Sequence, residues 1–540
     1  MISGYIDYRR NIFKLNSGLS IEFNGYLTNA DRLRKDLGMP SESGDADLIR
    51  AAYAAWGEEC LSCLSGAYSF AIWDERRKAL FAARDRMGVM PFFYTQPEAG
   101  TFVFGSGLNE VLRHDLVKVE IDEYGIADML LLGPGRTPGF GVYKGISELA
   151  PGHYLKLTPD AFDIRRYWKL IARLHTDSFE ETVGRVRHLL KQAVTRYAKS
   201  DAPACAFLSG GLDSSAIVAI SGVTSTFSVD YEGNQEHFSP TAFQPDSDEA
   251  HIDVMKNAFG LKHTNIVLPQ KALAEALHEA AEARVLPGMG DVDSSLMLFC
   301  REVLPHASVA LSGECSDELF GGYPWFWDER SLGGDSFPWV RNQAYRESFT
   351  KAEALPNIDC GEYVRSRFEA TVDDTDTLPG EPQAETQTKR MIRLNTDWFM
   401  QTLLERQSRM SMRLCVRAPF SDHELAEYIY SVPTAFRNHE GREKGLLREA
   451  LRGILPESVL WRKKSPYPKT RNPLYTSIVS EMLSDLLGDP NAPVWDVIEK
   501  NAARGLLTSD NPQPWYGQLM TTPQTMAFLL QLNWTLSRKY

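Results

Sequence analysis

Between residues 204 and 311 the chain repeats one local pattern, a short apolar run followed by a helical stretch. Strands are predicted at 204–208, 226–230, 264–268 and 308–311, with helical periodicity between them. Such alternation folds into a doubly wound parallel sheet, whose ligands bind at the carboxyl ends of the strands. An amphipathic helix with Val183, Val186, Leu190, Val194 and Tyr197 on one face leads into the first of these strands. Before Lys169 the pattern differs. Short alternating segments at 67–73, 79–83 and 102–106 are separated by turns, with one helix across about 46–64, which reads as a sheet-rich α+β domain. The expected domains are residues 1–168 and 169–540. The chain after Phe326 is mostly helical, and the polar stretch 373–387 is expected to be a mobile loop or disordered insertion.

A chain of 540 residues, 43% of them hydrophobic, fills more than one core. Its net charge of −13 is spread along the sequence, which argues against general binding of nucleic acid or an anionic membrane, and no run reaches transmembrane length. Seven cysteines without a regular framework, and no basic leader before an apolar run, point to the reducing cytoplasm. Cys60 and Cys63 form a CxxC spacing, but no second pair completes a metal site, and core packing is expected for them.

Chemistry concentrates at two loops. Ser209-Gly210-Gly211-Leu212-Asp213-Ser214-Ser215 follows a buried strand and opens a helix at 214–221, so its backbone N–H groups and hydroxyls converge on one anion. It has neither the Walker spacing nor GxGxxG. A carboxylate inside a phosphate loop needs a cation beside it, so Asp213 is assigned to Mg²⁺. Ser312-Gly313-Glu314-Cys315-Ser316-Asp317-Glu318 follows the strand at 308–311 and runs into Leu319-Phe320-Gly321-Gly322-Tyr323, bringing a second acidic loop to the same sheet edge.

SGGLDSS followed by SGECSDELFGGY resembles the synthetase domain of the asparagine synthetases, ATP-pyrophosphatase amide ligases. The likeness continues through Arg409-Met410-Ser411-Met412, Arg417-Ala418-Pro419-Phe420, Gly441-Arg442-Glu443-Lys444-Gly445 and Arg462-Lys463-Lys464-Ser465-Pro466-Tyr467-Pro468. It implies a degenerate α+β N-terminal nucleophile-hydrolase-like domain, followed by an α/β doubly wound ATP-pyrophosphatase domain with a helical C-terminal part. The cofactors implied are ATP and Mg²⁺. By the resemblance, Ser209–Ser215 holds pyrophosphate, Asp213 and Asp317 bind Mg²⁺, and Val229, Ser312 and Gly313 line the nucleotide site. Glu314 lies near the reacting carbonyl, where it accepts a proton from the attacking amine, and Lys464 stabilises the tetrahedral intermediate and departing phosphate.

The chain also departs from the family pattern. A cysteine normally follows the initiator methionine and hydrolyses glutamine, whereas here the second residue is Ile2, Ser3 is a poor substitute, and the family's early arginine segment and RGPD string are missing. Asn24 and Gly25 resemble the oxyanion-hole pair, and Asp45 the residue that holds glutamine's amine, so they read as vestiges without a nucleophile. Cys415 stands where relatives carry a pocket glutamate before Val416-Arg417, which marks Cys415 and Arg417 as candidate pocket residues; Ser408 replaces a usual aspartate.

The reading is an AMP- and pyrophosphate-forming amide ligase of specialised metabolism, joining a small-molecule or peptide carboxylate to an amine not drawn from its own glutamine hydrolysis. Lasso peptide cyclases and β-lactam synthetases are alternatives, although the latter place a tyrosine at Glu314. A non-catalytic homologue is the second alternative, opposed by intact Asp213, Glu314, Asp317 and Lys464. No nucleic acid or membrane partner is expected; a homodimer is compatible.

Overall fold

The computed structural model describes residues 2–9, 12–13, 19–237, 247–340, 342–464, 467–468, 470–508 and 514–538. Ser465 and Pro466 of the Arg462 to Pro468 string lie outside the described residues. The chain divides into two units. The first comprises residues up to Gly125 with Arg136–Leu170, and the second Ile126–Gly135 with Ile171–Arg538.

In the first unit, β1 (Ser3–Asp7), β2 (Ile12–Phe13), β3 (Leu19–Leu27), β4 (Gly66–Asp74), β5 (Ala79–Arg84), β6 (Phe93–Thr95), β7 (Thr101–Gly105), β8 (Ile146–Glu148), β9 (His153–Leu157) and β10 (Phe162–Arg166) form two five-stranded sheets. Their orders are β2-β1-β7-β6-β8 and β10-β9-β5-β4-β3, with antiparallel pairing throughout. Alternation along β4 explains the layering. Ala71 and Trp73 share a core with Ile6, Phe102 and Phe104 of the other sheet, whereas Phe70 and Ile72 pack with Leu33, Leu48, Ile49 and Ala52 from helices Ala30–Leu37 and Asp45–Trp56. The single helix expected over 46–64 is broken at Gly57, whose φ of 58° no continuing helix adopts, and resumes at Cys60–Cys63. Cys60 is fully buried and Cys63 packs beside it, as core residues do.

The second unit is built on β11 (Ala204–Phe207), β12 (Ser225–Tyr231), β13 (Lys262–Leu268), β14 (Val309–Leu311) and β15 (Cys415–Arg417). All neighbours are parallel, in the order β13-β12-β11-β14-β15. The strand order reverses beside β11, which lies between β12 and β14, so the loops after β11 and β14 leave adjacent strands at the switch point where α/β ligands bind. Helix Phe179–Ala198 starts at a capping box, Ser178 with Glu181, and buries Val186, Leu190, Val194 and Tyr197.

Two sequence expectations need correction. Residues 126–135 belong to the second unit although they precede the expected boundary: the buried Arg346 guanidinium donates to Leu130 O at 2.8 Å and to Trp515 O at 3.0 Å, and Tyr363 OH donates to Asp128 Oδ2 at 3.1 Å. The stretch 373–387 is not a loose insertion. Helix Cys360–Asp373 leads through it to helix Gln383–Leu394, Asp376 accepts the Ala172 N–H at 2.8 Å, and Glu381 pairs with buried Lys389. Its polarity is directed into specific partners, which composition alone does not reveal.

Candidate functional site

After β11 the chain turns through Gly210, at φ 67°, into helix Leu212–Ser221. The turn is braced internally: Ser209 N donates to Ser214 Oγ at 3.2 Å, and the two hydroxyls lie 3.1 Å apart. No side chain caps the helix, so its first-turn N–H groups face the cavity as an anion cradle. The loop after β14 comes so close that a Cβ on Gly313 would stand 2.7 Å from Ser214 N, which explains a glycine there.

The acidic residues of both loops meet at one ammonium. Lys444 Nζ lies 2.7 and 2.6 Å from the two oxygens of Asp213 and 2.6 Å from Asp317 Oδ1, while Ser316 Oγ donates to Asp213 Oδ1 at 2.7 Å. A Cβ on Gly322 would sit 1.8 Å from Asp317 Oδ1 and 2.4 Å from Lys444 Cε, so only glycine admits this pair. Lys464 Nζ contacts Asp317 Oδ2 at 2.5 Å and lies 4.4 Å from the Tyr323 ring centroid. Burial opposes the charge on Asp317, but Lys444 and Lys464 outweigh it and hold the carboxyl well below its usual range. Burial likewise disfavours the Lys444 charge, and Asp213 and Asp317 overcome it and raise its pKa. Next door, burial and the Asp317 charge push Glu318 up to about 7, although Tyr323 OH donates to it at 2.7 Å.

These residues fit Mg²⁺ held with a phosphate. Two carboxylates from different loops already converge on a single cationic group, and Mg²⁺ takes one or two carboxylates with substrate oxygens and water completing its shell. Among the described residues no group of three or more His, Cys, Asp or Glu could hold a metal without such help.

Glu314 is fixed from the helix Met400–Met410. Arg406 Nη2 lies 2.5 Å from Glu314 Oε1 and its guanidinium 5.2 Å from the Tyr467 ring. Glu314 Oε2 and Gln407 Oε1 are both buried without a hydrogen-bond partner, two acceptors awaiting a donor.

One cavity of about 420 Å³ within the second unit joins these groups. It is lined by Ser209, Gly211, Leu212, Asp213, Ser214, Val229, Ser312, Gly313, Glu314, Asp317 and Lys464. Gly210 and Ser215 lie behind the lining; Ser215 is fully buried. Cys415 and Arg417 do not reach the cavity. Arg417 Nη1 donates instead to Tyr197 O at 2.9 Å and Lys199 O at 2.8 Å, satisfying carbonyls at the end of helix Phe179–Ala198. The pocket expected at this pair is therefore built elsewhere, by Arg406, Gln407 and the aromatic residues beside them. Sequence reasoning left Lys444, Arg406 and Gln407 without roles. Lys444 sits inside a quoted string, and Phe399, Leu403 and Arg406/Gln407 recur at helical spacing, the signal that could have found them.

In the first unit, Asn24 Nδ2 donates to Met90 Sδ at 3.6 Å, a Cβ on Gly25, at φ 126°, would stand 2.0 Å from Ala67 O, and Asp45 Oδ2 accepts the Leu27 N–H at 2.8 Å.

A phosphate cradle and a shared acidic cluster at the switch point of a parallel sheet define a nucleotide-dependent enzyme of the α/β class. The comparisons narrow this. The family model described as asparagine synthase matches residues 185–537, and that of a glutamine amidotransferase domain matches residues 11–168. Asparagine synthetase [glutamine-hydrolyzing] 3 of Bacillus subtilis (strain 168) is 44% identical over 95% of this chain and 86% of its own length. Asparagine synthetase [glutamine-hydrolyzing] 1 of the same organism is 26% identical over 83% and 75%. The glutamine phosphoribosylpyrophosphate amidotransferase structure from B. subtilis overlaps 47% of this chain and 71% of its own at 14% identity and a TM-score of 0.22, too weak a likeness to define a fold. The chain belongs to the asparagine synthase family, whose members are ATP-dependent amide ligases, and it carries a glutamine amidotransferase domain ahead of the synthase domain. Among the described residues no helix is long and apolar enough to cross a membrane.

Proposed function

We propose that the second unit adenylates a carboxylate with ATP and passes the acyl group to an amine not supplied by glutamine hydrolysis in this chain. A carboxylate oxygen attacks the α-phosphorus, the bond from that phosphorus to pyrophosphate breaks, and pyrophosphate leaves. The amine nitrogen then attacks the acyl carbon, the carbon–oxygen bond to AMP breaks, and the amine proton passes to Glu314. The observation that carries this reading is the meeting of Asp213, Asp317, Lys444 and Lys464 in the cavity that also holds Glu314.

Each group has a role in that sequence. The cradle of Ser209, Gly211 and Ser214 holds pyrophosphate. Mg²⁺, held by Asp213 and Asp317, would neutralise charge growing on the leaving group. Lys464, which lies between Asp317 and the Tyr323 ring, faces the transition-state oxygens. Arg406 keeps Glu314 aimed. The amine source is inferred from the first unit, where the amide of Asn24 meets the Met90 sulfur and the Asp45 carboxylate accepts the Leu27 N–H. The reading assigns the enzyme to the cytoplasm, where ATP is abundant.

The test is pyrophosphate release with ATP, Mg²⁺ and a carboxylate panel, run with ammonia, with glutamine, or with neither. Release with ammonia and not with glutamine supports both halves of the reading. Glutamate formed from glutamine at the ligase rate overturns the amine assignment, and release unaffected by Asp213→Ala overturns the site.

A further inference from the structure

The side of the cavity away from the phosphate cradle is built for something the ligase reading leaves unspecified. Helix Met400–Met410 and the residue before it turn Phe399, Leu403, Arg406 and Gln407 toward the cavity, positions four, three and one apart that share a face. Along that face polarity changes in one direction. Arg406 and Gln407 stand at the Glu314 end, Leu403 is half-buried one turn back, and Phe399 lies one turn beyond it. From Phe399 to Arg406 the helix rises about 10 Å at ~1.5 Å per residue.

The adjoining wall is aromatic and begins at the reacting groups. Lys464 lies against the Tyr323 ring, Tyr323 stacks on Trp325 with centroids 4.5 Å apart, and Phe399 meets both edge-on at 5.1 and 5.3 Å. Gly517 closes on Phe399, where an added Cβ would stand 3.5 Å from the ring, and Met289, Gln518 and Leu519 add to the lining. Among Met289, Trp325, Phe399, Leu403, Gly517 and Leu519 there is no charge, and at the polar end Arg406 and Glu314 neutralise each other. A π-helical turn, Asn395–Phe399, immediately precedes the helix, and such turns re-aim side chains at functional sites.

An amino-dicarboxylate needs a charged partner for each of its distal groups, and an unpaired ion against this wall would be strongly disfavoured. We propose that the acyl substrate is a carboxylic acid with an uncharged apolar or aromatic body, its carboxylate toward Arg406 and Lys464 and its body running along Leu403 to Phe399, Trp325 and Leu519. The inference rests on the ligase reading above and narrows its substrate. The product is then a specialised amide rather than asparagine.

The full chain with ATP, Mg²⁺ and ammonia is assayed for pyrophosphate release on aspartate, acetate, hexanoate, phenylacetate and 4-phenylbutyrate. The expected result is kcat/KM rising at least about tenfold from acetate to hexanoate or 4-phenylbutyrate, several buried methylenes together being worth that much. Leu403→Trp, which fills the middle of the apolar side, should lower the ratio of kcat/KM for 4-phenylbutyrate over acetate at least tenfold, and Leu403→Asp should lower it further. Release with aspartate above every apolar acid overturns this inference and leaves the ligase reading standing. An unchanged ratio in both folded variants does the same, and release with none of the acids removes the ligase reading together with it.

Discussion

In the first unit the polar groups of Asn24 and Asp45 meet their own surroundings: the Asn24 amide meets a methionine sulfur and the Asp45 carboxylate holds the Leu27 amide. In the second unit, two aspartates and two lysines are crowded at one sheet edge, and the buried acceptors Glu314 Oε2 and Gln407 Oε1 have no donor. The first arrangement is satisfied without a ligand. In the second, the two unpartnered acceptors cost stability while the protein is free, and a donor on a ligand recovers that cost. The family models match both units, and in the second the unpartnered Glu314 and Gln407 acceptors point to a ligand.

That contrast can be broken most sharply at Asp317. Asp317→Asn leaves Lys444 and Lys464 beside one another without their shared carboxylate, and should reduce ATP-dependent pyrophosphate release by at least about 10²-fold, the scale of losing one preorganised electrostatic group. A variant that unfolds at the wild-type temperature and retains full release would remove the second unit's charge cluster from the chemistry. Next, Glu314→Gln should slow amide formation by about 10²-fold while carboxylate-dependent ATP–pyrophosphate exchange survives, because proton acceptance belongs to the second step. Equal loss of both activities would move Glu314 to the adenylation step.

Smaller effects test the first unit. Asp45→Asn weakens the bond to the Leu27 amide, at roughly 1 kcal/mol. It should lower the melting temperature by about 2–4 °C, and change ammonia-dependent turnover less than about twofold, since a surrounding-satisfied group acts on stability alone. A large loss of turnover at unchanged stability would show that the first unit takes part in the reaction.

The smallest effect is in the pH dependence of stability. Glu318 titrates near 7 in the folded protein, above its unfolded value, because burial and Asp317 favour its neutral form. Its contribution is complete below the unfolded pKa of about 4.3 and is lost as pH rises through the folded value near 7. Glu318→Gln preserves an acceptor for Tyr323 and removes the titration, so its melting temperature should gain on wild type by about 2 °C between pH 5 and pH 8. Asp317 shifts in the opposite direction, so its contribution is present above about pH 4 and disappears only on acidification. Parallel wild-type and Glu318→Gln curves from pH 5 to 8 would exclude a neutral Glu318.

By itself the sequence determined the parts whose physics is local. A buried strand running into Ser209-Gly210-Gly211 makes an anion cradle from contiguous backbone, and period-two alternation in β4 assigns each side chain to one of two layers, whatever lies farther along the chain. Tertiary structure decided where distant charges meet. Lys444 reaches Asp213 across 231 positions and Arg406 reaches Glu314 across 92. Arg417, in a string that resembles pocket residues, turns instead to the end of a helix 218 and 220 positions earlier. Asp376 and Glu381 found partners in a stretch whose composition looked disordered. Long flexible side chains carry no local record of their partners. Packing chooses among the charges within reach, because each buried ion must be paired.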